Sequence, residues 1–335
     1  QGTDLGAIPL QDLQQGSEVL YGPVRLQERR VLHREDSGGE RVREREVLTR
    51  IILMWVGFRE VPMEPGGLPP GLWLVGIGPG DLEHMTERAR SVAKGCSKRY
   101  LEGYTAILPE EQESRLEGVV GPWEKLMRPS VEKPGVLIAE ARDMPVALLV
   151  VGDPMQATTH IDLEARCSEE GVDFHVVPGM SATTLAVSLS GLQSYKFGRQ
   201  VTLPYPYGEY LATSPLEMIL SNQSNGLHPL VLLDLDPTGM GFDPPKPMSP
   251  GEAVSVLEKM VIKHKRDHGC EGSLEVPVKQ WNGLLLSDIG TDGQRVVSGS
   301  LGNIAAIEEG LVHTLILPSE MSVNEKDSFQ RRRLG

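Results

Sequence analysis

The 335-residue sequence holds only three cysteines, Cys96, Cys167 and Cys270, far apart and without paired spacing. That excludes a disulfide framework and a CxxC-type metal site, and it suits a reducing cytoplasmic setting in which the thiols are packing residues. No apolar run approaches the roughly twenty residues of a bilayer span. No opening stretch joins a basic start, an apolar core and a small-residue cleavage site, so neither a membrane segment nor a secretory signal is expected. Positive charge is also scarce: 33 Lys and Arg stand against 46 Asp and Glu, a formal charge of −13. Nucleic-acid binding relies on clustered cations that release phosphate counterions, so no nucleic-acid partner is expected. The single basic run, Arg331-Arg332-Arg333, reads as a frayed terminus.

Familiar cofactor motifs are missing too. Gly76-x-Gly78-x-Gly80 has the wrong spacing for G-x-G-x-x-G, and Pro79 stiffens the turn, which argues against a nicotinamide cofactor. No G-x-x-x-x-G-K-[ST] stretch occurs, and neither a zinc site nor a serine nucleophile has local support.

What is present is a chain of about two domains by length. Residues 1–70 scatter apolar residues among charges and contain the turn signal Glu35-Asp36-Ser37-Gly38-Gly39-Glu40, which reads as a small β appendage. The proline- and glycine-dense stretch from Pro62 to Gly71 reads as a linker. Beyond it, short apolar runs (Leu72–Val75, Val146–Val151, Phe174–Val177, Leu230–Leu233, Leu284–Leu286, Thr314–Leu317) read as buried strands. Helix candidates over 84–94, 157–170, 181–190 and 250–268 lie between them, which predicts an α/β class with a largely parallel core. Ser249, Pro250 and Glu252 carry the clearest helix start. The division expected is an extension over 1–70, an α/β lobe over 71–177, a second over 178–320 and a polar tail over 321–335.

Three strands run into glycine- or proline-rich turns: Gly76–Asp81, Gly152-Asp153-Pro154 and Pro178-Gly179. In open α/β sheets ligands bind beyond the carboxyl ends of strands, so these turns mark a candidate site, although each could be only a tight turn. Asp153 could accept hydrogen bonds from a ligand or bond its own backbone. His160 reads as a helix-face histidine or a functional one. His313, before an apolar strand, could be a core histidine or a ligand contact. Tyr195 and Lys196 could line an entrance or sit on an exposed loop.

Gly152-Asp153-Pro154-Met155-Gln156-Ala157-Thr158-Thr159-His160 closely resembles a GDPxxATTH segment of the diphthine synthases, and Tyr195-Lys196-Phe197-Gly198 resembles a second block of that family. Tyr205–Gly208, Thr213-Ser214, Gly226-Leu227-His228 and Leu232-Leu233-Asp234 follow in the family's order. The resemblance spans residues 72–318, and the glycine turns are shared more widely with the tetrapyrrole methyltransferases. It implies two α/β lobes with S-adenosylmethionine in the cleft between them, a homodimer, and repeated methylation of the amino group of 3-amino-3-carboxypropyl-histidine in translation elongation factor two. By matched positions it puts cofactor contacts on Pro79, Asp153, Gln156, Ser181, Ala182, Leu233, Ile289 and His313. No catalytic dyad is implied, because methyl transfer to an amine needs positioning and exclusion of water more than acid–base work. Ser287-Asp288-Ile289-Gly290 departs from the pattern, with an acid where the family usually carries an arginine. Two alternatives stand beside this reading. A tetrapyrrole C-methyltransferase fits the glycine turns but not ATTH or YKFG, and a non-catalytic partner on the same fold would account for Ser287-Asp288.

Overall fold

The computed structural model describes residues 67–240, 244–268 and 272–334. Residues 1–66 of the β appendage expected over 1–70, with them the first half of the linker, and Cys270 lie outside these. The first lobe is a five-stranded parallel sheet of β1 (Gly71–Gly76), β2 (Lys98–Glu102), β3 (Glu124–Leu126), β4 (Pro145–Val150) and β5 (Phe174–Val177), in the order β3-β2-β4-β1-β5. The central strands β1 and β4 are nearly all buried, because helices cover both faces; unbroken apolar runs follow from that. Thr86 caps the crossover helix Glu87–Gly95 by accepting the Ala89 N–H, and Ala89, Val92 and Ala93 line its buried side.

The second lobe is also five-stranded: β6 (Val201–Leu203), β7 (Leu230–Leu233), β8 (Asn282–Ser287), β9 (Arg295–Ser300) and β10 (His313–Ile316), ordered β6-β7-β10-β8-β9. Here the expected parallel character fails. Only β6 and β7 run parallel, while β7–β10, β10–β8 and β8–β9 are antiparallel. A strand buried on both faces reads as the same apolar run in either direction, so direction was hidden. The helix Pro250–His268 crosses this lobe. Its Ser249–Glu252 capping box forms as expected: Ser249 Oγ accepts the Glu252 N–H at 3.2 Å and Glu252 accepts the Ser249 N–H at 2.9 Å. Both lobes belong to one unit, Met63–Gly335.

The expected polar tail over 321–335 is corrected by the structure. Ser322 and Glu325 form a capping box that starts the helix Val323–Arg331, and Phe329 is buried against Leu284, Leu286 and Ile316. The arginine run is no frayed end. Ser298 donates to the Arg332 carbonyl, the Leu334 N–H donates to Ser298, and the Arg332 guanidinium reaches the carbonyls of Ser328 and Leu189. Low apolar content hid this helix, since one aromatic ring and one buried carboxylate hold it.

Candidate functional site in the cleft between the lobes

The carboxyl ends of β1, β4 and β5 and the facing ends of β7, β8 and β10 enclose a cleft of about 340 Å³. Its first-lobe wall is made of turns that pack backbone to backbone. A Cβ on Gly76 would lie 2.7 Å from the Gly152 carbonyl and collide with Gly179, so glycine is needed there for the turns to touch. Gly78 and Gly152 exchange backbone hydrogen bonds at 2.9 and 3.2 Å. Asp153 then joins the second turn to the third: Oδ1 accepts the Met155 N–H at 2.9 Å and Oδ2 the Gly179 N–H at 3.1 Å. It is therefore a turn aspartate and a tie between loops, with lone pairs left for a ligand.

The first turn also clasps the second lobe. The Asp81 N–H donates to the Gly290 carbonyl at 2.9 Å, and a Cβ on Gly80 would stand 2.6 Å from that oxygen. Asp288 and Ala157, both lining the cleft, are the only non-glycine residues with positive φ among those described, at 50° and 54°. Backbone held in so sparsely populated a region costs about 1–3 kcal/mol and collects at ligand sites. Ala157 explains why the helix expected from 157 starts at Ile161. Asp288 earns its conformation: its carboxylate accepts the N–H groups of Leu311 and Val312, each at 2.9 Å, and so shapes the wall before β10.

Pro79, Asp153, Gln156, Ser181, Ala182, Leu233, Ile289 and His313 all line this one cleft. Ser181 caps the helix Ala182–Ser190 by accepting the Thr183 N–H at 3.2 Å, so the positive end of that helix meets the cavity. His313 is buried with Nδ1 2.8 Å from Ser287 Oγ; burial pushes its pKa down, leaving a neutral ring. Three carboxylates, of Asp153, Asp234 and Asp288, line the cleft against a single guanidinium, that of Arg128. The donor set fits a cationic ligand with polar ends and an apolar middle: carboxylates give a negative field, the neutral histidine adds no repulsion, and Leu233 and Ile289 supply apolar wall. S-adenosylmethionine, a sulfonium with hydroxyls at one end and an amino acid at the other, has that chemistry. Among the described residues no group of His, Cys, Asp and Glu could hold a metal ion.

The family-like blocks divide between lining and support. His160 is not at the surface of the cleft but behind it, 1% exposed, with Nδ1 2.7 Å from the Pro154 carbonyl and Nε2 3.1 Å from Glu102. Thr105, a lining residue, donates to the other Glu102 oxygen. Tyr195 is 79% exposed and neither it nor Lys196 lines the cleft. Lys196 instead binds Glu325 at 2.9 Å, and the same carboxylate receives His228 and the Gln193 N–H, docking the last helix. Asp234, Tyr104, Thr105 and Arg128 were not expected as lining residues. A carboxylate one residue past the apolar run Leu230–Leu233 was a usable signal for Asp234, whereas Arg128 carries none in sequence.

Residues 71–238 match the family model of the tetrapyrrole (corrin/porphyrin) methylases. A diphthine synthase from Methanoregula boonei is 30% identical over 263 residues, covering 78% of this chain and 98% of that one. The diphthine methyl ester synthase of Homo sapiens is 32% identical, covering 73% and 89%. A solved structure of a diphthine synthase superposes with a TM-score of 0.66 at 25% identity, over 78% of this chain and 95% of that one. Tetrapyrrole methylases and diphthine synthases take their methyl group from S-adenosylmethionine. With the family model covering half of the chain, from β1 through β7, and relatives matched over nearly their whole length, the chain belongs to the tetrapyrrole methylases and, within them, to the diphthine synthases.

Proposed function

We propose that this protein transfers methyl groups, repeatedly, from S-adenosylmethionine to the amino group of 3-amino-3-carboxypropyl-histidine in translation elongation factor two, forming diphthine. The observation that carries the reading is the convergence of eight residues, matched by family position from six separate loops and strand ends, on one cleft. When bound, S-adenosylmethionine supplies an electrophilic methyl on a sulfonium. Pro79, Asp153, Gln156, Ser181, Ala182, Leu233, Ile289 and His313 are the residues proposed to hold it. The protein's part is then positional. Leu233 and Ile289 exclude water, the neutral His313 leaves the cationic centre unopposed, and the clasped turns fix the distance of approach, for which in-line displacement needs about 3 Å. No acid–base dyad is required, because the substrate ammonium loses its proton to solvent before attack, and the methylated ammonium loses one again before the next round.

The resemblance also supports a homodimer acting in the cytoplasm. No described helix is long and apolar enough to cross a membrane.

Titrating the protein with S-adenosylmethionine by calorimetry, then adding the amine-bearing elongation factor and following its mass, tests the reading. Mass gains in multiples of one methyl are expected, and a base-labile increment would mark an ester. Cofactor binding without any gain would shift the assignment to a tetrapyrrole substrate, and absence of binding to a non-catalytic partner.

A further inference from the structure

Arg128 is the one lysine or arginine among the described residues that line the cleft, and it is not one of the eight proposed cofactor contacts. Its guanidinium lies 5.2 Å over the Tyr104 ring, another lining residue, and donates one N–H to the Gly239 carbonyl at 2.8 Å. Gly239 follows β7 in the other lobe and packs so closely on Tyr207 that a Cβ would stand 2.7 Å from its ring. The cation is therefore held where the two lobes meet. Its Nε is buried and makes no hydrogen bond; the Glu132 carboxylate 3.5 Å from that nitrogen is half exposed, so the ion pair is weak. The carboxylates inside the cleft do not serve it. Asp153 is bonded to the Met155 and Gly179 amides, Asp234 to those of Tyr205, Leu235 and Asp236, and Asp288 to those of Leu311 and Val312.

The substrate side chain in the function proposed above, on which this inference rests, carries an amine and a carboxylate on one carbon. The amine must be neutral to attack, but the carboxylate stays ionised and would enter the cleft uncompensated, which is costly unless a cation meets it. A planar guanidinium, pinned by a ring face and a carbonyl, offers a directed fork to such a group. We propose that Arg128 binds the substrate carboxylate, fixing the amine on the adjoining carbon and selecting amino-acid side chains over simple amines.

The test compares wild type, R128Q and R128K. Synthetic 3-amino-3-carboxypropyl-imidazole and its decarboxylated counterpart, 3-aminopropyl-imidazole, are assayed as inhibitors of elongation-factor methylation, and S-adenosylmethionine binding is measured by calorimetry. The wild type should prefer the carboxylated compound by at least about tenfold, the worth of a hydrogen bond to a charged group. R128Q should lose that preference, R128K keep part of it, and both should bind S-adenosylmethionine as the wild type does. A ratio of two inhibitors in one protein is insensitive to partial unfolding. An undiminished preference in R128Q overturns the proposal, and so does lost S-adenosylmethionine affinity, which would put the cofactor's own carboxylate on Arg128. A wild type that leaves the factor's mass unchanged overturns the functional reading and this inference with it, whereas an active wild type with an indifferent R128Q overturns this inference alone.

Discussion

His160 and His228 each place Nε2 3.1 Å from a buried glutamate oxygen, yet their pKa values move in opposite directions. His228 Nδ1 accepts the Ser319 N–H at 3.0 Å, so its one proton sits on Nε2 and points at Glu325; burial, the largest influence, pushes its pKa down. His160 has acceptors on both sides, the Pro154 carbonyl and Glu102. Burial opposes its charge, but the Glu102 hydrogen bond and charge and the Pro154 carbonyl outweigh it and raise its pKa. The partners of His160 favour its charged form, and those of His228 its neutral form.

The raised pKa of His160 gives a pH signature. A folded pKa raised above the ordinary value of about 6.5 adds stability that is complete below that value and lost as pH rises through the folded pKa. H160Q should therefore be less stable than wild type by about 3–5 kcal/mol at pH 6, the cost of orphaning one partner of a buried pair. Urea denaturation from pH 6 upward should show that gap narrowing.

Glu325 sets the opposite, acidic limit. Burial works against its charge, but the amides of Gln193 and Ser322 together with Lys196 and His228 hold its carboxyl far below the usual carboxylate range. A depressed folded pKa contributes stability above the unfolded value, near 4.3, that is lost as pH falls toward the folded one. E325A should unfold at a higher pH during acid titration than wild type, and its near-ultraviolet circular dichroism should report loosening of the second lobe.

Asp288 should act through the backbone it holds. D288N keeps an amide oxygen for the Leu311 and Val312 N–H groups and tolerates the positive φ, so its thermal midpoint should stay close to wild type. D288A strands both donors and should cost about 1–3 kcal/mol, with weaker S-adenosylmethionine binding in calorimetry.

Gly290 is the clasp between lobes, and a methyl there would run into the Pro79 carbonyl. G290A must part the first turn from the second lobe. It should lower S-adenosylmethionine affinity by at least about tenfold while costing about 1–3 kcal/mol of stability, the usual range for overpacking. Titration and thermal melts on the same sample separate the two effects.

The parallel lobe was legible because β1 and β4 are apolar throughout, and the turns after β1, β4 and β5 announced the site through their glycines and Asp153. β2, β3 and β6 were not, because Lys98-Arg99 opens one strand and the other two are three residues long. Arg128, Tyr104 and Thr105 enter the cleft from the ends of those inconspicuous strands, so no local pattern marked them. His160 and Lys196 were legible as family blocks but not in role, since their work is done with Glu102 and Glu325, distant in sequence.

The packing of Gly76, Gly152 and Gly179 has a consequence for how a ligand is received. Three turns in van der Waals contact through their backbones, and tied by Asp153, cannot open one at a time. This wall of the cleft is preorganised, so a ligand orders little chain on arrival and more of its contact energy remains as affinity. Adding a methyl at Gly76 or at Gly179 displaces the same rigid block, so the paired substitution should cost less than the sum of the two singles.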